Sequence, residues 1–201
     1  GPDGMTVPEQ LVAIHERAAA LVKDQYELLH QLVFPALAGE NIHFVNAKTL
    51  TPEQRKWIGE YFAKEVEPVL TPLGLDPARP FPRIQNKSLN FIVRLSGKDA
   101  FGRDTELAVV QVPRSLPRII RLPPSMGEIG KTYFVFLSAV ISTFVAQLFS
   151  GMKVEGAWQF RVTRNSDLFV DDEEVDNLLR AIEGELAQRH YGAAVRLEAS
   201  L

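Results

Sequence analysis

With 201 residues, 46% of them hydrophobic and 23% charged, the chain has the apolar content for one sizeable core and a smaller appendage, which excludes a disordered polymer. Its formal net charge of −3 offers no overall attraction to nucleic acid or a long polyanion, so any anion site must be local. The absence of cysteine excludes disulfides and thiolate chemistry, removes the commonest zinc ligand, and suits a cytoplasmic protein.

The four residues ahead of Met5, Gly-Pro-Asp-Gly, look like what a cleaved expression tag leaves behind, and no secretion signal follows them. Thr6-Val-Pro-Glu9 then reads as a helix start, with Thr6 as N-cap, Pro8 inside the first turn and Glu9 at the capping-box position. Leu11, Ile14, Ala18, Leu21, Val22, Leu28, Leu29 and Leu32 recur at three-four spacing up to Pro35, which predicts one long amphipathic helix. Such a helix cannot bury its own stripe. It is expected to be the last element of a helical bundle.

After Gly39, Asn41 to Val45 reads as a short strand with His43 facing outward, and Thr51-Pro-Glu-Gln54 repeats the capping logic for a second helix running to about Leu70. From Leu70 the chain is punctuated by Pro72, Pro77, Pro80 and Pro82, each fixing φ and lacking a donor, which excludes helix and central strand and predicts a stiff connection. It leads into Ser88 to Leu95, where Leu89, Phe91, Val93 and Leu95 alternate with Ser88, Asn90, Ile92 and Arg94 at the period of a strand with one well-buried face. Glu106 to Val112 answers it across a polar turn as a hairpin. Arg118 to Leu122 and Thr132 to Phe136 predict short strands, Ser138 to Phe149 a core-packed helix capped by Gly151, and Lys153 to Thr163 another strand. A helix opening at Asp171 with Glu174 and a last strand at Ala194 to Glu198 complete an α+β fold with a mixed or antiparallel sheet. No run approaches the ~20 apolar residues of a membrane span; Tyr133 to Phe149, the longest, is broken by Ser138, Ser142, Thr143 and Gln147.

Few motifs carry chemistry. Ser125-Met-Gly-Glu-Ile-Gly-Lys-Thr132 approaches a phosphate-binding loop but has serine where glycine is required, prolines in place of the preceding strand, and a strand in place of the following helix, so a solvent-facing loop is expected. His15, His30, His43 and His190 lack the local partners of a nucleophile, base or metal site. Asp171-Asp-Glu-Glu174 fits a charged helix start better than a magnesium site, and no metal ligands are assigned. Arg79, Arg83 and Lys87, with Arg161 and Arg164, could form an anion pocket if the fold joins the two runs; the competing reading is that they satisfy loop carbonyls. Regular alternation would put Arg161 and Arg164 on opposite sheet faces. Asn86, Ser88, Asn90, Thr163 and Asn165 are expected to be structural, pairing loop backbone groups.

Phe34-Pro-Ala-Leu37, Ile42-His-Phe44, Pro68-Val-Leu-Thr-Pro72, Pro80-Phe-Pro82, Asn86-Lys-Ser-Leu-Asn90, Leu116-Pro-Arg118, Thr163-Arg-Asn165 and Ala194-Val-Arg-Leu197 occur in an order that resembles the polyphosphate kinase family working through a phosphohistidine. Arg79, Arg83, Lys87 and Ser166 depart from its usual residues at loop positions. The resemblance implies residues 5–39 as the closing helix of a helical N-terminal domain and 40–201 as the middle or head domain, similar in fold to small phosphohistidine phosphatases. Residues 1–4 are set apart as a tag remnant. It also implies that the domains carrying the phosphate-accepting histidine are absent, so no catalytic or cofactor-binding residue is assigned here. ATP, Mg and polyphosphate would belong to the full-length enzyme, a homo-oligomer that is cytoplasmic or associated with a membrane. A structural and subunit-association module follows, with a stand-alone anion-binding module as the alternative.

Overall fold

The structure, a computed structural model, describes residues 4–76, 78, 80–98, 102, 105–165 and 192–200. The helix expected from Asp171, and with it His190, lies outside the described residues. The chain divides into two compact units, residues 4–46 with 120–135 and residues 47–119 with 136–200, and its fold is α+β.

In the first unit, helix α1 (Val7–Leu28) starts as the sequence predicts. The Thr6 amide and hydroxyl both donate to the Glu9 carboxylate at 2.7 Å, closing the exposed first turn. The helical path does not stop before Pro35. It widens into a π turn, Leu29–Val33, and continues as α2 (Phe34–Gly39). Proline has no amide to donate and its ring would press on the carbonyl four residues back, that of Gln31, so a wider turn there lets the helix pass through it. Asn41, at φ 62°, then takes the left-handed position that ends the helix, a conformation asparagine tolerates better than most residues.

Strand β1 (Ile42–Val45) runs parallel to Thr132–Val135, so the short strand after α2 pairs with a segment about ninety residues on, in a three-stranded sheet. Phe44 stacks on Phe134 at 5.7 Å and meets Phe34 at 5.3 Å, giving this unit an aromatic centre. His43 is half-buried against Tyr133 at 5.3 Å, a correction to its expected outward position that follows from all four β1 residues being partly covered. The loop before this pairing is solvent-facing as expected, with Glu128 and Lys131 paired at 2.6 Å and Ile129 fully exposed.

The second unit opens with α3 (Pro52–Tyr61), where Thr51 Oγ1 accepts from the Gln54 amide at 3.2 Å and Gln54 Oε1 accepts from the Thr51 amide at 3.1 Å. Its continuation repeats the device of the first unit: a π turn, Phe62–Val66, precedes a 3₁₀ turn holding Pro68. The chain then enters a five-stranded sheet. Strand β2 (Thr71–Gly74) forms its edge on β4 (Leu107–Gln111), which pairs with β3 (Asn90–Ser96); β7 (Lys153–Arg164) follows, and β8 (Ala194–Ala199) is the other edge. The proline-rich run thus begins as a strand, which the sequence reading placed in a connection. Pro72 is accepted because an edge strand has one side of its backbone free of ladder bonds. The remaining strands, β5 (Ile119–Arg121) and β6 (Thr132–Phe136), complete the three-stranded sheet.

The two faces of the larger sheet are covered differently. On one face Phe91, Val93, Ala108 and Val110 are fully buried; α4 (Leu137–Phe144) lies on β7 and stacks Phe144 on Phe62 of the π turn at 5.7 Å. Each such large side chain contributes roughly 1.5–3 kcal/mol of burial. On the other face Ile84 and Leu75, from the two ends of the proline-rich run, pack on Val109, Phe160, Ile92 and Val162. The stiff run is therefore a cover for the sheet as well as a connection. No described helix is long and apolar enough to cross a membrane.

Candidate functional site

At the end of the sheet where the proline-rich run re-enters β3, backbone groups from four segments need partners, and polar side chains supply them. Gln85 to Ser88 forms a turn in which Ser88 Oγ donates to the Gln85 carbonyl at 2.9 Å. Lys87 sits at φ 54°, and its amide donates to the Val162 carbonyl at 2.8 Å, pinning the turn to β7. Asn86 Oδ1 accepts from the Arg164 amide at 2.9 Å, a bond made where the β7–β8 register shifts and Arg164 would otherwise lack a ladder partner.

Arg164 returns the contact. Its Nε donates to the Ile84 carbonyl at 2.7 Å and its Nη1 to the Gly192 carbonyl at 2.8 Å, tying the run, β7 and the entry to β8 into one knot. Gly192 has to be glycine here, because a Cβ would run into the Asn165 carbonyl. The Asn165 amide closes the same corner by donating to the Ala193 carbonyl at 2.8 Å. Asn90 is wholly buried, and its Nδ2 donates to the Ser88 carbonyl at 2.9 Å and to Ser88 Oγ at 3.1 Å. The Asn90 Oδ1 has no partner among the described residues. Burying an amide between Phe91 and Leu89 is costly unless it is bonded, so Asn90 and Ser88 fix one register of the strand entry.

The candidate cations fall apart as a group. Arg161, on the face opposite Arg164, donates Nε to Glu198 at 2.7 Å and pairs through Nη2 at 2.6 Å. The expected separation of these two arginines across the sheet is what the register gives. Arg83 contributes its carbonyl, which accepts from Gln111 Nε2 at 3.3 Å, and Arg79 lies outside the described residues. Thr163 stands opposite Arg196 in the β7–β8 ladder. Arg114, which the sequence reading did not single out, donates Nη2 to the Asn86 carbonyl. Its only sequence signal is the lack of any carboxylate between Leu107 and Gly127. Among the described residues no cluster of histidine and carboxylate side chains could hold a metal ion. What the arrangement does chemically is hold backbone, with two of its guanidiniums committed.

Residues 53–200 match the family model for the polyphosphate kinase middle domain. A polyphosphate kinase of Xylella fastidiosa is 52% identical over 197 residues, 98% of this chain and 28% of the relative. One of Burkholderia ambifaria is 51% identical over 199 residues, 99% of this chain and 29% of its own length. In fold, the chain is similar to the crystal structure of polyphosphate kinase from Porphyromonas gingivalis, with a TM-score of 0.68 at 24% identity over 90% of this chain and 29% of that one. The chain thus spans less than a third of the length of these relatives.

Proposed function

Because the chain belongs to the polyphosphate kinase family, we propose that it serves as a structural and subunit-association module of an enzyme that transfers the terminal phosphate of ATP to inorganic polyphosphate. In that enzyme the transfer runs through a phosphohistidine, with magnesium neutralising phosphate charge, on domains beyond this portion. The observation that carries this reading is the commitment of the signature side chains: Asn86, Ser88, Asn90 and Arg164 all bond to backbone of this chain. A guanidinium that donates to two other segments of its own fold, as Arg164 does to the Ile84 and Gly192 carbonyls, positions a sheet end and has little capacity left for a substrate. The alternative, an anion-binding module built on Arg79, Arg83, Lys87, Arg161 and Arg164, is opposed by the Glu198 pairing of Arg161 and the carbonyl contacts of Arg164.

The test compares stability with transfer. Asn90→Ala and Asn86→Ala, which strip the side-chain partners of the Ser88 carbonyl and the Arg164 amide, are expected to cost this chain about 1–3 kcal/mol each in urea denaturation, the cost of leaving a backbone group unsatisfied. In the full-length enzyme the same variants should lose heat tolerance while the KM for polyphosphate stays unchanged at permissive temperature. Unchanged stability with reduced transfer would replace this reading with the anion-site one.

A further inference from the structure

Positive charge is segregated within this acidic chain. Residues 80–98 carry Arg83, Lys87, Arg94 and Lys98 with no carboxylate, and residues 107–119 carry Arg114 and Arg118 with none. Two of these stretches meet where Arg114 Nη2 donates to the Asn86 carbonyl, placing its guanidinium against the turn that holds Lys87 in the left-handed region.

The loop bearing the two arginines is held firmly. Pro113 and Pro117 bracket it, Leu116 is buried between them, the Leu116 amide bonds the Pro113 carbonyl, and the Arg118 carbonyl accepts from the Leu137 amide at 3.0 Å. Prolines and buried anchors remove the freedom by which neighbouring cations would otherwise separate. Arg118 is partly desolvated and lies in the field of Arg114, both of which push its pKa below the usual arginine value. Among the described residues neither Lys87, Arg114 nor Arg118 forms an ion pair, whereas Arg161 and Arg196 share Glu198 and Arg164 is bonded to carbonyls. Like charges held together without a counter-charge are a standing cost that a bound anion would relieve.

We propose that Lys87, Arg114 and Arg118 form an oxyanion site that takes one phosphate group of a linear phosphate chain. Two guanidinium forks suit the several oxygens of a phosphate, and the lysine adds a point charge. The choice of a phosphate chain as ligand rests on the proposed function, while the oxyanion chemistry rests on the three side chains. The site is distinct from Arg161, which is neutralised by Glu198, and from Arg164, which spends two nitrogens on carbonyls where Arg114 spends one.

Calorimetric titration of the 201-residue chain with tripolyphosphate, ATP and orthophosphate at low ionic strength tests this. Saturable binding of tripolyphosphate is expected, and the paired change Arg114→Gln with Arg118→Gln should weaken it by about tenfold or more, the loss of charge-assisted bonds. Lys87→Asn, which keeps a residue tolerant of the left-handed region, should weaken it in the same direction. Arg161→Gln, an equal change of charge elsewhere, should move it by less than about twofold. Equal affinity for ATP would identify a triphosphate site, and weaker binding of ATP a site for the inorganic chain; either supports the proposal. It is overturned if no ligand saturates or if Arg161→Gln weakens binding as much as Lys87→Asn, which removes the same single charge. It is also overturned if the chain fails to bind while the full-length enzyme carrying the paired change transfers phosphate normally, a result that leaves the proposed function standing.

Discussion

Single residues in this chain do their work by completing backbone valences, and the clearest instance is exposed. Glu9 accepts from the Thr6 hydroxyl and then the Thr6 amide, and those two bonds lower its pKa from the ordinary value of 4.5. A depressed carboxylate stabilises the folded helix start when ionised, so its contribution is fully present above pH 4.5 and is lost as pH falls through the lowered value. Proton titration followed by NMR should place the Glu9 midpoint below 4.5, and Thr6→Ala should return it upward. A midpoint at or above 4.5 in the parent chain would remove the capping account. This residue was legible in sequence, as was Thr51, because a cap and its acceptor lie three positions apart. Arg114 was not, because its acceptor, the Asn86 carbonyl, is brought to it only by the hairpin.

At the scale of elements, spacing predicted type well and partners poorly. The alternation of Phe91, Val93 and Leu95 identified β3 and its buried face, yet Asn90, assigned by alternation to the other face, is buried too because the proline-rich run covers that side. Of the two helix prolines, Pro35 is predicted to end its helix and Pro68 to lie within one running to about Leu70. Both lie two residues after a π turn, where the Phe34 amide reaches the Leu29 carbonyl and the Glu67 amide the Phe62 carbonyl. The turn relocates the carbonyl that the ring would strike, an option that a three-four hydrophobic count cannot register. Helix α1 keeps its predicted stripe and none of its residues is buried; Leu11, Ile14, Leu28 and Leu32 are all more than half exposed, and so is Leu21 at 52%. An apolar stripe of this size favours association. Gel filtration at rising concentration should move the parent chain to earlier elution while Leu21→Asp stays at the monomer position with an unchanged melting temperature. Identical elution of the two at every concentration would refute the stripe's role.

For the whole molecule, the pairing of β1 with β6 and the grouping of residues 120–135 with residues 4–46 were invisible in sequence, since a parallel pair has no turn between its strands to announce it. The family resemblance was legible because it rests on the order of many short segments, and the match over residues 53–200 bears it out. The central claim is that this portion organises a kinase without performing its chemistry. Incubating the purified chain with ATP labelled at the γ-phosphate, magnesium and polyphosphate, then measuring acid-labile protein label and polymer growth, tests it most directly. The account predicts neither label nor growth, with both restored in the full-length enzyme; stoichiometric acid-labile label on this chain alone would contradict it.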